Sequence, residues 1–175
     1  MSARAFLTMF ADASYCPDTR GAGYGMWVKR DGWPKGKTHS GPLLGLSSPG
    51  GAELAAICKG LAWLGEYNVL DNLDGIIVQS DCIRALGVLR STIGAHESQF
   101  SASSTKVPFV SKLSREERMI ASYLPKTGST LIYVRHVKGH QAGGSRNWVN
   151  RECDRLARKH MLSERERLNR IAGCA

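Results

Sequence analysis

The chain lacks the features that would place it in a membrane, outside the cell or among zinc proteins. No apolar run approaches the roughly 20 residues that a helix needs to cross a bilayer, and residues 1–4 lack the basic and then apolar profile of a secretory signal. The five cysteines are odd in number and widely spaced, with no Cys-x-x-Cys pair to suggest zinc or a dithiol. We therefore expect no membrane partner and a reduced, cytoplasmic setting.

Acidic residues are fewer than basic ones, and this imbalance favours a negatively charged partner. The 175 residues include 24 Lys and Arg against 15 Asp and Glu, which gives a net charge of +9 and a pI near 9.6. Lys and Arg gain affinity for polyanions by displacing counterions from phosphates. The alternative, that the charge serves only solubility, stays open at this stage.

Length and composition fit one domain. With 42% hydrophobic residues, the chain is long enough to bury a core but short for two independent ones. We interpret residues 1–161 as the folded domain, and residues 162–175 as a charged tail with the composition to extend the last helix. We expect a monomer.

The spacing of apolar residues predicts five strands and four helices. Pro49, Gly50 and Gly51 are expected to stop the third strand, and Ser114 with Glu117 matches a capping box. This order predicts an α/β domain with a five-stranded mixed sheet flanked by helices: an antiparallel meander, then parallel strands that return through helical crossovers. Strands are expected over residues 6–11, 23–30, within 37–46, 75–80 and 130–137, and helices over 53–64, 83–89, 114–124 and from 149 to 161 or beyond.

Four acidic residues lie far apart in sequence, each at or near the place where a predicted element begins or ends. They are Asp12, Glu53, Asp81 and Asp154. A structural role is available for three of them. Glu53 is placed to interact with a helix dipole, Asp81 to cap the helix after it, and Asp154 to pair with neighbouring arginines.

Taken together, the ordered acids and a Lys138-Gly139-His140 segment before the last of them resemble ribonuclease H of type 1. Asp12 is followed by a Gly-rich turn and by Tyr24 at the family's interval. Asn150 precedes Asp154 as in the family's final helix. The resemblance covers residues 6–160 and implies the ribonuclease H-like fold and an endonuclease that cuts the RNA strand of an RNA–DNA hybrid.

The resemblance also implies the catalytic residues and the cofactor. The four acids would hold two Mg²⁺ ions, with Mn²⁺ as a substitute, since hard divalent ions prefer oxygen ligands. Asp12 would touch both ions, Asp154 would serve the nucleophile side, and Glu53 and Asp81 the leaving-group side, at an ion separation of roughly 3.5–4 Å. Cleavage would leave a 5′-phosphate and a 3′-hydroxyl.

A histidine in the Gly-rich segment completes the implied catalytic set. His140 would assist proton transfer or product departure. A zinc pair formed by His136 and His140 is the rival interpretation, and the absence of nearby cysteines disfavours it.

Substrate contacts follow from the resemblance, with three departures from it. The interval from His140 to Asp154 is longer than in the familiar bacterial enzymes, a Trp-rich basic handle is missing between Leu89 and Ser114, and a Ser-Ser-Pro-Gly-Gly segment replaces an Asn-containing contact with the DNA phosphate. The implied substrate-binding residues are Ala13, Ser14, Tyr15, Ser48, Lys138, Asn150 and Arg151.

These departures keep two other functions open. One is a nuclease of the same fold that prefers duplex RNA or branched DNA. The other is a non-catalytic module that binds hybrids or RNA through basic charge alone. Cleavage of the three substrates separates the first alternative, and metal-dependent turnover separates the second.

Replacing Asp12 tests the assignment of the site. We expect Asp12→Asn to abolish hydrolysis of hybrid RNA, because the amide removes a charged ligand shared by both ions. A cleavage assay on end-labelled hybrid measures this. Full activity in the variant would contradict the assigned site.

Overall fold

The fold comes from a computed structural model that describes residues 5–67, 69, 73–97, 106–125, 130–138 and 145–173. The strands within these residues are β1 (Phe6–Tyr15), β2 (Ala22–Arg30), β3 (Lys37–Leu43), β4 (Gly75–Ser80), β5 (His96–Glu97) and β6 (Leu131–His136). The helices are α1 (Pro49–Glu66), α2 (Ile83–Ile93), α3 (Arg115–Ala121) and α4 (Ser145–Gly173).

The strands form one mixed sheet in the order β3-β2-β1-β4-β6-β5. β1, β2 and β3 are an antiparallel meander, and β4, β6 and β5 run parallel. The predicted α/β class and mixed sheet are confirmed. The two-residue β5 adds a sixth strand that the sequence did not indicate, and it is too short to show a period.

Helix α1 covers one face of the sheet. Met9 of β1 and Met26 of β2 are fully buried, and their sulfur atoms lie against Gly60 of α1. Leu54, Ile57, Leu61 and Leu64 of α1 are buried as well, so the apolar spacing seen in the sequence does mark the helix face in the core.

Helix α4 covers the opposite face, and glycines in and just before β2 allow it to approach closely. Side chains alternate between faces along a strand, so Gly23 and Gly25 point away from Met26. A Cβ atom on Gly25 would lie 2.2 Å from the Cys153 carbonyl oxygen, and one on Gly23 would lie 2.4 Å from that of Ala157. Backbone therefore packs on backbone where α4 crosses the sheet.

Three element boundaries differ from the prediction. Helix α1 begins at Pro49, because Ser48 caps it by accepting a hydrogen bond from the Gly51 backbone at 2.9 Å and proline is tolerated in a first turn. Helix α3 has the predicted capping box but ends at Ala121. Helix α4 begins at Ser145, before the predicted start at 149, and it continues through residues 162–173 in keeping with the expected extension into the tail.

Strand β1 also continues past its predicted end. Its antiparallel pairing with β2 runs through Asp12↔Gly25 to Tyr15↔Ala22, whereas its parallel pairing with β4 stops at Phe10↔Gln79. Asp12 therefore lies where β1 has a neighbour on one side only.

Among the helices in the described ranges, none is both long and apolar enough to cross a membrane.

Replacing Gly23 tests the close packing of α4. We expect Gly23→Ala to lower the free energy of unfolding by about 1–3 kcal/mol, because the added methyl meets backbone atoms that cannot rotate away. Gly65→Ala is the matched control. Nothing lies within 4 Å of a Cβ there, so we expect a gain of about 0.5–1 kcal/mol from the better helix former. Chemical denaturation of both variants measures this, and equal stabilities would contradict the packing.

Candidate active site

A cleft with a volume of about 220 Å³ opens where β1 extends beyond β4. All seven of its lining residues are among those that the sequence singled out: Asp12, Ala13, Glu53, Asp81, Asn150, Arg151 and Asp154. Strand β1, the loop after β4, helix α1 and helix α4 each contribute to this lining. The fold thus brings the four acids together from distant parts of the chain.

Three of the acids are close enough to share a cation. Carboxylate oxygens of Asp12, Glu53 and Asp81 all lie within 4.8 Å of one another. Asp154 lines the same cleft from α4 and is more exposed than they are. The cluster therefore has a buried end at Asp12 and an open end at Asp154.

Asp12 is the most buried of the four. The residue is 8% exposed, and its Oδ1 accepts a hydrogen bond from the Ala13 backbone at 2.9 Å. Burial, and then the charges of Asp81 and Asp154, raise the pKa of Asp12 to about 7. The local structure thus disfavours the charged form that is best suited to bind a cation.

Glu53 lies beyond the first turn of α1, which contains no acidic residue. An interaction with the helix dipole, which falls off within that turn, therefore does not explain its position. Its Oε2 is buried and has no hydrogen-bond partner among the described residues. Burial, and then the charges of Asp12 and Asp81, raise the pKa of Glu53 to about 9.

The structural roles considered for Asp81 and Asp154 are not observed. The N-cap of α2 is Cys82 and not Asp81, and no side chain caps that helix end. Arg155 pairs with Glu152 at 2.7 Å, and the ion pairs found within the described ranges do not include Asp154. Both carboxylates are thus available to a ligand in the cleft.

The cleft residues fit divalent cations. The donors are oxygens, which Mg²⁺ and similar ions prefer. A buried carboxylate oxygen without a partner is costly unless something binds it, and Glu53 has one. A cation would also remove the repulsion that raises the pKa values of Asp12 and Glu53.

The other predicted site residues lie elsewhere or outside the described residues. Ser14 and Tyr15 continue β1 away from the cleft, and Lys138 is exposed beyond β6. The Ser48 hydroxyl caps α1 and donates to Glu116 at 2.5 Å. His140 falls outside the described residues, so its predicted role stays a prediction.

The histidine at the end of β6 contacts the backbone of Asp81. His136 Nε2 lies 3.1 Å from the Asp81 carbonyl oxygen, and a carbonyl only accepts, so Nε2 carries the proton when this bond forms. His136 is not part of the group of possible metal ligands found among the described residues. The zinc pair with His140 is untested.

No sequence pattern points to Glu116, whose contact with Ser48 joins residues that are 68 positions apart. Glu117 was recognised only as part of a capping box. In the structure its carboxylate also binds Arg84 at 2.7 Å. Pairings of this kind depend on how α3 docks, and no local sequence signal reports that.

The raised pKa values predict how stability depends on pH. Folded Asp12 and Glu53 hold protons more tightly than unfolded carboxyls, whose pKa values are near 3.9 and 4.3. Linkage therefore makes their contribution to the free energy of unfolding fall as the pH rises from about 4, through 7, towards 9. In EDTA at pH 8.5 we expect Asp12→Asn to be more stable than the wild type by on the order of 1 kcal/mol or more.

Urea unfolding at pH 5 and pH 8.5 measures this difference. The gain is expected to shrink at pH 5, where Asp12 is already protonated, and to disappear when Mg²⁺ binds the wild type. Asp18→Asn changes an exposed carboxylate and is the control. A wild type as stable as Asp12→Asn at pH 8.5 in EDTA would contradict the repulsion.

Comparisons with known proteins bear on the family and the fold of the chain. A sequence profile described as RNase H matches residues 4–161. No curated protein sequence matches the chain significantly. Solved structures do match, at identities that show the fold alone.

Three of these structures illustrate the similarity. RNase H1 from the halophilic archaeon Halobacterium salinarum NRC-1 has 13% identity and a TM-score of 0.58, covering 90% of this chain and 98% of that one. The N-terminal RNase H domain of Rv2228c from Mycobacterium tuberculosis has 15% identity and a TM-score of 0.63, covering 93% and 97%. LC11-RNase H1 in complex with an RNA/DNA hybrid has 13% identity and a TM-score of 0.57, covering 90% and 97%. Since the family profile spans most of its length, the chain belongs to the RNase H family of nucleases.

Proposed function

We propose that the protein is an endoribonuclease that hydrolyses the RNA strand of RNA–DNA hybrids with two divalent cations, leaving 5′-phosphate and 3′-hydroxyl ends. The observation that carries this proposal is the meeting of Asp12, Glu53 and Asp81 within 4.8 Å, with Asp154 lining the same cleft. A nuclease of this family with all four acids in one cleft has the donor set that phosphodiester hydrolysis requires.

The four carboxylates would hold the cations. When bound, divalent cations neutralise the charge of the scissile phosphate and favour ionisation of the attacking water. Asp12 presents its oxygens from a buried strand and Glu53 from a packed helix, so both enter the reaction already oriented. Asp154 is the most exposed of the four and lies at the open side of the cleft.

Residues on α4 would orient the substrate. Asn150 and Arg151 line the cleft beside Asp154. A guanidinium such as that of Arg151 donates paired hydrogen bonds to a phosphate. The Asn150 amide can donate to a ribose 2′-hydroxyl, the group that distinguishes RNA from DNA. His140 keeps its proposed role in proton transfer or product departure, which rests on the resemblance alone.

Two observations support a hybrid as the substrate. The net charge of +9 favours a nucleic acid. A protein of similar fold, LC11-RNase H1, has been solved with an RNA/DNA hybrid. We extend that substrate to this chain as part of the proposal.

One observation favours a second candidate, a nuclease of the same fold that acts on duplex RNA or branched DNA. Ser48 was the expected donor to the DNA phosphate, but its hydroxyl already donates to Glu116 and accepts from Gly51. If that contact persists with substrate bound, the DNA strand loses a point of recognition.

The cofactor, assembly and location complete the proposal. An all-oxygen donor set favours Mg²⁺, with Mn²⁺ as a substitute. Four cysteines in the described ranges are free, which supports a reducing, cytoplasmic setting. A monomer remains our expectation.

A panel of substrates tests the proposal. The purified protein is incubated with end-labelled RNA–DNA hybrid, matching RNA duplex, branched DNA and single-stranded RNA, in Mg²⁺ or EDTA. We expect Mg²⁺-dependent cutting of the hybrid RNA. The activity of Asp81→Asn should fall further than the loss of about 10–100-fold that is typical for residues that only support a metal ligand. Asp18→Asn, which changes an exposed carboxylate, should keep its activity.

The outcomes separate the candidates. Cutting of duplex RNA or branched DNA in preference to the hybrid would favour the second candidate. Binding without metal-dependent turnover would leave a hybrid- or RNA-binding module. Activity that survives in Asp81→Asn would point to a contaminating nuclease.

A further inference from the structure

Helix α3 is anchored in the core beside helix α1. Ile120 and Ala121 of α3 are buried, and the Cys58 thiol of α1 lies 3.8 Å from the Ile120 carbonyl oxygen. From this anchored helix two adjacent side chains, Glu116 and Glu117, reach two different helices. Both contacts fall on the first turns of helices that flank the candidate active site.

Glu116 fastens the beginning of α1. Its Oε1 accepts a hydrogen bond from the Ser47 backbone at 2.6 Å, and its Oε2 accepts one from the Ser48 hydroxyl at 2.5 Å. A Cβ atom on Gly51 would lie 2.6 Å from the Glu116 carboxyl carbon, so the carboxylate fits against bare backbone. Partial burial alone would raise the pKa of Glu116, but these hydrogen bonds outweigh it and the pKa is lowered.

Glu117 fastens the beginning of α2. Its carboxylate accepts two hydrogen bonds from Arg84, at 2.7 and 2.9 Å, and one from the Ser114 backbone at 2.7 Å. Arg84 also donates to the Lys112 carbonyl oxygen at 3.0 Å. The hydrogen bonds from Arg84 are the main reason that the pKa of Glu117 falls to about 2, and Arg84 follows Asp81 by only a few residues.

These contacts matter because the carboxylates of the site repel one another. Glu53 is carried by the helix that Glu116 holds, and Asp81 precedes the N-cap residue of the helix that Glu117 holds. Cation binding requires the carboxylates in their ionised form, and like charges within 4.8 Å repel one another, so separating the two elements would relieve that repulsion. A rigid link between the two helix starts opposes the separation.

We propose that α3 is a brace that holds Glu53 and Asp81 at the spacing a cation requires, with Glu116 and Glu117 as its positioning residues. The inference rests on the proposed function, because it assigns these residues a role at that site. Neither glutamate lines the cleft, and each acts through the element that it fastens.

The test uses amide variants of nearly unchanged size. Ser47 and Ser48 each donate a hydrogen bond to one oxygen of Glu116. In Glu116→Gln an NH₂ group replaces one of these oxygens, so one of the two donors faces another donor. Glu117→Gln removes the charge that pairs with Arg84. Gly51→Ala disturbs the Glu116 contact from the side of α1 and is the second route to the same effect.

Glu164→Gln is the matched control. Glu164 pairs with Arg167 at 2.9 Å, and its side chain is 12% exposed, against 11% for Glu117. That pair lies within α4 and links no two elements. It therefore reports the cost of losing an Arg–Glu pair that has no connection to the site.

Three measurements are made on the full chain: unfolding in EDTA, Mn²⁺ binding by calorimetry, and kcat and KM on the hybrid. In Glu116→Gln, Glu117→Gln and Gly51→Ala we expect Mn²⁺ affinity to fall about 10-fold or more, as for residues that orient metal ligands. We expect kcat to fall, the KM for hybrid to hold, and high Mn²⁺ to restore part of kcat. Glu164→Gln should bind Mn²⁺ as the wild type does.

Each outcome decides the inference. Mn²⁺ affinities that change no more than in Glu164→Gln would overturn the brace, whatever happens to stability. A wild type that binds Mn²⁺ but does not cut hybrid would refute the proposed function and leave the brace to be judged on affinity. If the wild type binds no Mn²⁺, amide hydrogen exchange at the starts of α1 and α2 decides, and unchanged exchange in the variants overturns the brace.

Discussion

The close contact between helix α4 and strand β2 is the constraint on which the site depends. Gly25 pairs with Asp12 in the sheet, and the space above it is taken by the backbone of Cys153, the residue before Asp154. A side chain at that position would have to lift the helix away from β1 or displace its own neighbours. The approach of the last acid to the first therefore depends on the absence of a side chain at Gly25, the neighbour of Asp12 on β2.

The same packing creates an electrostatic conflict that the rest of the fold contains. Asp12 is buried, Glu53 has an orphaned oxygen, and the repulsion among the acids raises the pKa values of both. Apolar burial of α1 and the contacts of α3 hold the elements together at that cost. The buried, repelling carboxylates lower the free energy of unfolding, and a bound ligand would raise it again, as is usual for functional sites.

Much of this fold follows from local sequence patterns. The apolar run of β4 and the helical spacing of α1 survive in the structure, because β4 is buried along its whole length and α1 buries one continuous set of side chains. The start of α1 was misjudged because Pro49 and the glycines after it resemble a break, whereas the Ser48 hydroxyl satisfies the first turn. The extension of α4 into the charged tail is consistent with the sequence, but the point where the helix ends has no local signal, because its outer turns are polar and have no apolar period.

Some features of the candidate site could likewise be predicted from the sequence, and others could not. Its seven lining residues could be named from their order and from a family resemblance. The availability of Asp81 could not, because a cap at Cys82 or at Asp81 depends on backbone angles that the sequence does not fix. The contacts of Glu116 and Glu117 could not either, since their partners lie 68 and 33 positions away and meet them only after the helices have packed.

The placement of Asp154 on α4 also has a consequence for the growing polypeptide. Asp12, Glu53 and Asp81 emerge from the ribosome well before Asp154, and α4 must reach back across β2 and β1 to deliver it. Contacts so distant in sequence form late in folding. A nascent chain therefore carries an incomplete set of carboxylates, and it completes its cleft only once α4 has been synthesised and docked.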